Sequence, residues 1–138
     1  MYYKTKNILI DNKLVAKIFF YQKKKFSGIK FFTKNNLPFQ VGLMSHAKNH
    51  IINSHLHIEH KKTIKNMSEF LIIFKGSLKV FFYNKKKLLI KTNILKKKDM
   101  ILLLTGAHGF QVIKPLEMLE IKQGPFRGDR YKKRLKRD

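Results

Sequence analysis

The sequence predicts an all-β protein that forms a single domain, and three observations support this prediction. Short runs of β-branched and aromatic residues recur along the chain, turn-forming residues separate them, and no window shows a helical period. The 138 residues are enough to bury one hydrophobic core. Strands at this spacing are typical of a β-sandwich or a β-barrel.

The first 38 residues are predicted to form strands that precede the main series. Apolar runs cover residues 8–10, 14–21 and 29–33. Asp11 and Asn12 form a turn between the first two runs, and a lysine run separates the second from the third. A second turn, at residues 35–38, ends this N-terminal region.

The main series begins at Phe39 and ends near residue 126. Gly76, Gly106 and Pro115 are predicted to interrupt it, because glycine and proline mark turns and strand ends. The predicted strands cover residues 39–45, 51–58, 69–75, 77–83, 87–95, 99–105, 109–114 and 117–122. Residues 127–138 form a basic tail, which we expect to be a surface extension or a short helix.

The composition excludes several classes of site and location. The chain has no cysteine, so thiolate metal sites, disulfides and cysteine catalysis are excluded. The sequence contains no run of about 18 apolar residues, so it predicts no membrane-spanning helix. The N-terminus lacks the apolar core of a secretion signal. We therefore predict a cytoplasmic protein without a membrane partner.

The formal net charge of +23 predicts attraction to anions, but it does not by itself indicate nucleic-acid binding. The lysines are scattered along the whole chain, and arginine occurs only at Arg127, Arg130, Arg134 and Arg137. Nucleic-acid binding favours clustered cations and exposed stacking aromatics, whereas most aromatic residues here lie in predicted strands. The abundance of lysine, asparagine, isoleucine and phenylalanine is what an AT-rich coding sequence gives, so compositional drift is the favoured explanation of the charge. An anionic partner or substrate is the alternative, with a small ligand favoured over nucleic acid.

A pair of histidines, His55 and His57, is the strongest candidate for chemistry. On a strand, residues two apart point to the same face, so both imidazoles reach one point. Glu69 opens a later apolar run, and His108 lies in a turn between Gly106 and Gly109. Three imidazoles and one carboxylate suit a divalent ion of Fe, Mn, Ni or Zn, and this ligand set does not determine which of these metals binds.

The motif His55-x-His57, followed by Glu69-x6-Gly76, resembles the first cupin motif, and residues 99–108 resemble the second. Residues 58–68 separate the two parts of the first motif, where the general pattern has a much shorter gap. The sequence is similar to small bacterial single-domain cupins found among cell-surface polysaccharide genes. The stretches that carry this resemblance are residues 28–33, 40–44, 68–71, 99–103, 106–110 and 117–126.

The resemblance implies a double-stranded β-helix, the jelly-roll barrel of cupins, with extra N-terminal strands. It implies that His55, His57, Glu69 and His108 hold the metal. It further implies a small anionic or sugar-like ligand from surface-polysaccharide or acidic-sugar metabolism, and a homodimer formed through strands 8–21. We expect metal-assisted isomerisation. A non-catalytic sugar-binding or regulatory module and an Fe(II) dioxygenase are the alternatives.

Three further residues are candidates for catalysis. His60 lies beside Glu59 in the inserted loop and could contact a substrate. Glu120 and Lys122 are two apart on a predicted strand, so they share a face. If that face is the inner one, they form an acid–base pair or a substrate anchor; if Leu119 and Ile121 face inward instead, they are solvated.

Overall fold

The protein is described by a computed structural model that covers residues 1–125, 128 and 132–135. Over these residues it contains β-strands and no helix, so the all-β prediction is confirmed. No helix there is long and apolar enough to cross a membrane. The strands are β1 (Tyr2–Ile10), β2 (Lys13–Gln22), β3 (Gly28–Phe31), β4 (Gly42–Ser45), β5 (Glu69–Tyr83), β6 (Leu89–Lys96), β7 (Met100–Leu103) and β8 (Ala107–Lys122).

Six of these strands form one antiparallel sheet that curls into a half-barrel. The order is β1-β2-β7-β5-β6, and β8 pairs with β5. The first half of β5 pairs with β7 and the second half with β6, so β8 occupies the other edge of β5 along its whole length. Strands β3 and β4 form a separate hairpin-like sheet.

The curled sheet has a hydrophobic core on each face, and neighbouring residues alternate between the two. Ile18 and Ile101 belong to the core enclosed by β1, β2, β5, β6 and β7. Phe19 and Leu102 belong to the opposite core, together with Val41 and Leu43 beside the small sheet. This alternation is the two-residue period of a strand buried on both faces.

The predicted breaks at Gly76 and Pro115 are wrong, because β5 and β8 each continue through them. The pairing of the two strands shifts register between Ile73 and Leu78, which is where both strands bend. Gly76 has a φ of +79°, and a Cβ atom there would lie 1.9 Å from the carbonyl oxygen of Pro115. Glycine and proline therefore form a bulged bend within a strand pair, a position that sheets allow to both residues.

The predicted strand at residues 51–58 is also wrong, since the structure has no strand between β4 and β5. The alternating apolar side chains of this segment face solvent, with Leu56 91% and Ile58 86% exposed. A two-residue period encodes a strand only where a neighbouring strand supplies hydrogen bonds and a surface to bury. Neither is present for this segment within the described part of the chain.

Strands from the predicted N-terminal region, residues 1–38, belong to both sheets. Strands β1 and β2 from the N-terminal region pair with β7, so they belong to the main sheet. Strand β3 pairs with β4 across the expected boundary at residue 38. Most of the basic tail lies outside the described residues, and Gly128 and residues 132–135 are in neither helix nor strand.

Candidate functional site

The structure brings together two of the four predicted metal ligands, Glu69 and His108. The Nε2 atom of His108 lies 3.2 Å from Oε2 of Glu69, and their side chains are 27% and 15% exposed, respectively. Both residues of this imidazole–carboxylate contact line a cleft. We refer to Glu69 and His108 together as the dyad.

The strand β7 and the turn after it place the two side chains. Glu69 is the first residue of β5 and lies opposite Leu103 of β7. The chain then turns at Gly106, whose φ of +84° favours glycine, and β8 begins at Ala107. His108 therefore follows Leu103 closely and reaches back over the start of β5.

The curvature of the sheet is the second requirement for this contact. His108 pairs with Phe82, which is 82 − 69 = 13 positions beyond Glu69 on the same strand. At about 3.3 Å per residue, a straight strand would separate these positions by about 43 Å. The bend at Gly76 and the curl of the sheet remove this separation, so the dyad joins the two ends of β5.

The surroundings of Glu69 favour its ionised form. The hydrogen bond with His108 lowers the pKa of the Glu69 carboxyl most strongly, and partial burial acts in the opposite direction. The charges of His108, Lys122 and Lys132 lower that pKa further, so the net shift is downward. The dyad therefore presents a carboxylate that is held by an imidazole N–H.

A cleft of about 1360 Å³ opens over the dyad. Apart from the dyad itself, the charged residues that line it within the described chain are all cationic: Lys65, Lys87, Lys132, Lys133 and Arg134. The rings of Phe81, Tyr83 and Phe110 supply apolar surface. A cleft with this lining attracts anions and offers flat surfaces for a sugar or another ring.

One predicted catalytic residue, Lys122, is paired with Glu69 of the dyad, and a second, Glu120, contacts Lys122. Lys122 is directly opposite Glu69, and Glu120 is opposite Leu71, so both are on the inner face of the sheet. Leu119 and Ile121 are on the other face. Lys122 Nζ lies 3.1 Å from Glu120 Oε2, with side chains 29% and 40% exposed. Glu120 therefore holds Lys122 beside Glu69.

The remaining candidates, His55, His57 and His60, lie in the exposed segment between β4 and β5. The rings of His55 and His57 are 5.1 Å apart, and the Nδ1 atoms of His55 and His60 contact the carbonyl oxygens of Asn53 and Ile58. Within the described residues, no group of three or more His, Asp or Glu side chains could hold a metal ion. The four predicted ligands thus form two separate pairs.

Two residues around the site have roles that the motifs do not reveal. The side-chain oxygen of Gln123 accepts a hydrogen bond from the Ser68 backbone N–H at 2.9 Å, which fixes the start of β5. The hydroxyl of Ser68, the residue before Glu69, is buried without a hydrogen-bond partner. The cationic lining carried no signal in the sequence, because lysine is common throughout the chain.

Compared with protein-family models, with curated proteins and with solved structures, the chain matches none. The resemblance to cupins therefore stays a prediction from the sequence motifs. What the structure adds is the dyad and the cationic cleft above it.

Proposed function

We propose that the cleft binds a small anionic or sugar-like ligand, with the dyad at its floor. The observation that carries this proposal is the contact between Glu69 and His108 in a cleft whose other charged residues, within the described chain, are cationic. A carboxylate or phosphate group of the ligand would pair with Lys65, Lys87 and the cations of residues 132–134. Acidic sugars and sugar phosphates, the compounds of surface-polysaccharide metabolism, have this combination of charge and hydroxyl groups.

The Glu69 carboxylate, the aromatic rings and the cations of the cleft each have a distinct part in binding. The Glu69 carboxylate has acceptor positions beyond the one that His108 uses, and sugar hydroxyls can donate to them. The rings of Tyr83 and Phe110 would pack against the apolar face of the ligand. The cations then fix which end of the ligand lies over the dyad.

The same geometry supports an isomerase. When Nε2–H of His108 donates to Glu69, its Nδ1 carries a lone pair that can accept a proton. Isomerisation of a keto sugar moves a proton from the carbon beside the carbonyl to the former carbonyl carbon, and a hydroxyl proton to the former carbonyl oxygen. His108 would take the first proton and deliver it to the former carbonyl carbon, and the hydroxyl proton would exchange through water. Lys122 is paired with Glu69 across the strands and its charge lowers the pKa of Glu69, so it would be the cation that stabilises the negative charge formed on the oxygen.

We further propose that the chain is a cupin and that the half-barrel is a variant of the jelly roll. The antiparallel pairing, the long bent strands β5 and β8 and the quoted motifs support this. The predicted metal set does not fit the arrangement described above, because His55 and His57 are apart from the dyad. We therefore assign no step to a metal, either in isomerisation or in an Fe(II) dioxygenase reaction.

Calorimetry with matched ligands tests the proposal. We expect galacturonate and a hexose phosphate to bind, and galactose to bind at least tenfold more weakly. Lys65→Ala should weaken binding of the anionic ligands, whereas Lys61→Ala, outside the cleft lining, should not. Equal affinity for the acid and the neutral sugar would contradict the proposal.

Proton exchange separates the isomerase from a binding module. A keto sugar phosphate incubated with the protein in D2O should gain deuterium beside its carbonyl, and His108→Ala should abolish this gain. Binding without deuterium uptake would favour the non-catalytic sugar-binding or regulatory alternative.

A further inference from the structure

Among the described residues, the outer edge of β8 is the longest strand edge of the main sheet that no other strand approaches. The outer edges of β1 and β6 are close to each other, because Lys6 Nζ donates to Asn93 Oδ1 at 2.8 Å and Lys91 Nζ donates to the Leu9 carbonyl oxygen at 3.1 Å. In contrast, β8 pairs only with β5 within the described residues. A free edge presents unpaired N–H and C=O groups to another strand.

Strand β8 also exposes large apolar side chains on both of its faces. Five of them are at least 40% exposed: Val112 (56%), Ile113 (46%), Met118 (40%), Leu119 (44%) and Ile121 (43%). An edge strand of this length with so much apolar surface is a site where a second strand gains both hydrogen bonds and burial. Pro115 has no N–H, so it divides the edge into residues 107–114 and residues 116–122. The first part lines the cleft through residues 107–111, whereas the second does not and carries the exposed Met118, Leu119 and Ile121.

The charge of β8 indicates which partner fits. Its formal charge is zero, since Lys114 and Lys122 are balanced by Glu117 and Glu120. Strands β1, β2 and β6 each carry two lysines and no acid. In a protein of net charge +23, two copies repel each other least where β8 meets β8. An anionic partner would instead be drawn to the lysine-rich strands.

We propose that two copies of the chain associate through the edge of β8, by antiparallel pairing of residues 116–122 about a two-fold axis at Leu119. A two-fold axis brings the same residues together from both copies, which makes the contact self-complementary. This interface differs from the N-terminal strands 8–21 that the cupin resemblance implies, because the β1 edge is already in contact with β6. Residues 116–122 do not line the cleft, so ligand binding there can be tested separately from association, although Glu120 and Lys122 lie in the proposed interface.

The absence of cysteine makes cross-linking a direct test. In Leu119→Cys, a short bismaleimide should link most of the protein into covalent dimers. Leu9→Cys is the matched control on β1, with Leu9 46% exposed, and should remain monomeric. Linking of Leu9→Cys but not Leu119→Cys would overturn the proposal in favour of the N-terminal interface.

Sedimentation equilibrium of the unmodified chain supplies the second measurement. We expect a mass near 2 × 16.4 kDa at micromolar concentration, with tighter association at higher salt because screening weakens the repulsion between copies. Leu119→Lys should shift the mass to that of the monomer, and Leu9→Lys should not. A monomeric wild-type protein, or equal behaviour of the two lysine variants, would refute the interface.

Discussion

Two regions carry the residues of the predicted metal motif: the segment between β4 and β5, and the paired strands β5 and β8. The two regions differ in whether strand pairing positions those residues. His55 and His57 lie in an exposed stretch without strand pairing. Glu69 and His108 lie on paired strands and are in contact. The comparison teaches that alternation along a sequence positions side chains only where a neighbouring strand is present. The predictions below test this contrast, from the largest expected effect to the smallest.

The bend at Gly76 should be the least tolerant position. Gly76→Ala places a Cβ atom 1.9 Å from the Pro115 carbonyl oxygen at a φ of +79°, so the backbone of both strands must move. We expect a loss of about 4 kcal/mol or more in the free energy of unfolding, measured with urea. Gly28→Ala is the control: φ is also positive, but no atom lies within 4 Å, so a loss of about 1 kcal/mol is expected. Similar losses in both variants would show that the close approach at Gly76 is not decisive.

Alanine substitution of one leucine in each region compares how much the two regions contribute to stability. Leu71→Ala removes a side chain that is 1% exposed from the enclosed core, and we expect it to cost about 3 kcal/mol. Leu56→Ala removes one that is 91% exposed, and its effect should be within about 0.5 kcal/mol. Urea unfolding measures both. A large loss for Leu56→Ala would mean that the segment packs against the sheet in solution.

Removing the imidazole of His108 should destabilise the fold more than removing the imidazole of His55. His108→Ala leaves the mostly buried Glu69 carboxylate without its imidazole partner, and we expect a loss of about 1–2 kcal/mol. His55→Ala should be neutral, because its ring is exposed and contacts only the local Asn53 carbonyl. Thermal unfolding of both variants against the wild type provides the measurement, and equal losses would contradict the contrast.

The lowered pKa of Glu69 predicts a pH dependence. A carboxyl whose native pKa is depressed stabilises the fold above its unfolded pKa, and that stabilisation is lost as pH falls through the native value. The stability difference between the wild type and Glu69→Gln should therefore be full above about pH 4.5 and should shrink below it. Glu59→Gln, in the exposed segment, should show no such change. A difference that grows towards low pH would have the wrong sign.

The smallest expected effect is the coupling between the two regions. In a double-mutant cycle of His55→Ala and His108→Ala, the structure predicts a coupling energy within about 0.5 kcal/mol. The cycle should be measured by thermal unfolding with and without added Mn²⁺ or Zn²⁺. A coupling that appears only with metal would show that the ion draws His55 and His57 to the dyad, as the cupin motif implies.

Much of the sheet could be predicted from the sequence because its strands follow local rules. Leu78, Val80 and Phe82 alternate with less buried residues, and all three are buried as a two-residue period requires. Glycine and proline were the misleading signals at Gly76 and Pro115. Each residue alone predicts the end of a strand. Next to each other in the β5–β8 pair, however, they form a bend, and the sequence does not show that the two residues are neighbours.

The candidate site was only half predictable for a related reason. Glu69 and His108 meet because β7 precedes a tight turn and the sheet curls, and the motif spacing anticipated both residues. The two-residue spacing of His55 and His57 is equally regular, but nothing in it encodes a partner strand. The cationic lining depends on which of many lysines the fold gathers at the cleft, which composition alone does not determine.

The four-residue strand β7 has a consequence for how the chain folds during synthesis. It is the link between the β1–β2 hairpin and β5, so the N-terminal hairpin has no place in the sheet until residue 103 has left the ribosome. The pairing of Glu69 with Lys122 comes later still. Non-local pairing of this kind slows folding, and the apolar faces of β1 and β2 stay exposed until β7 has been synthesised.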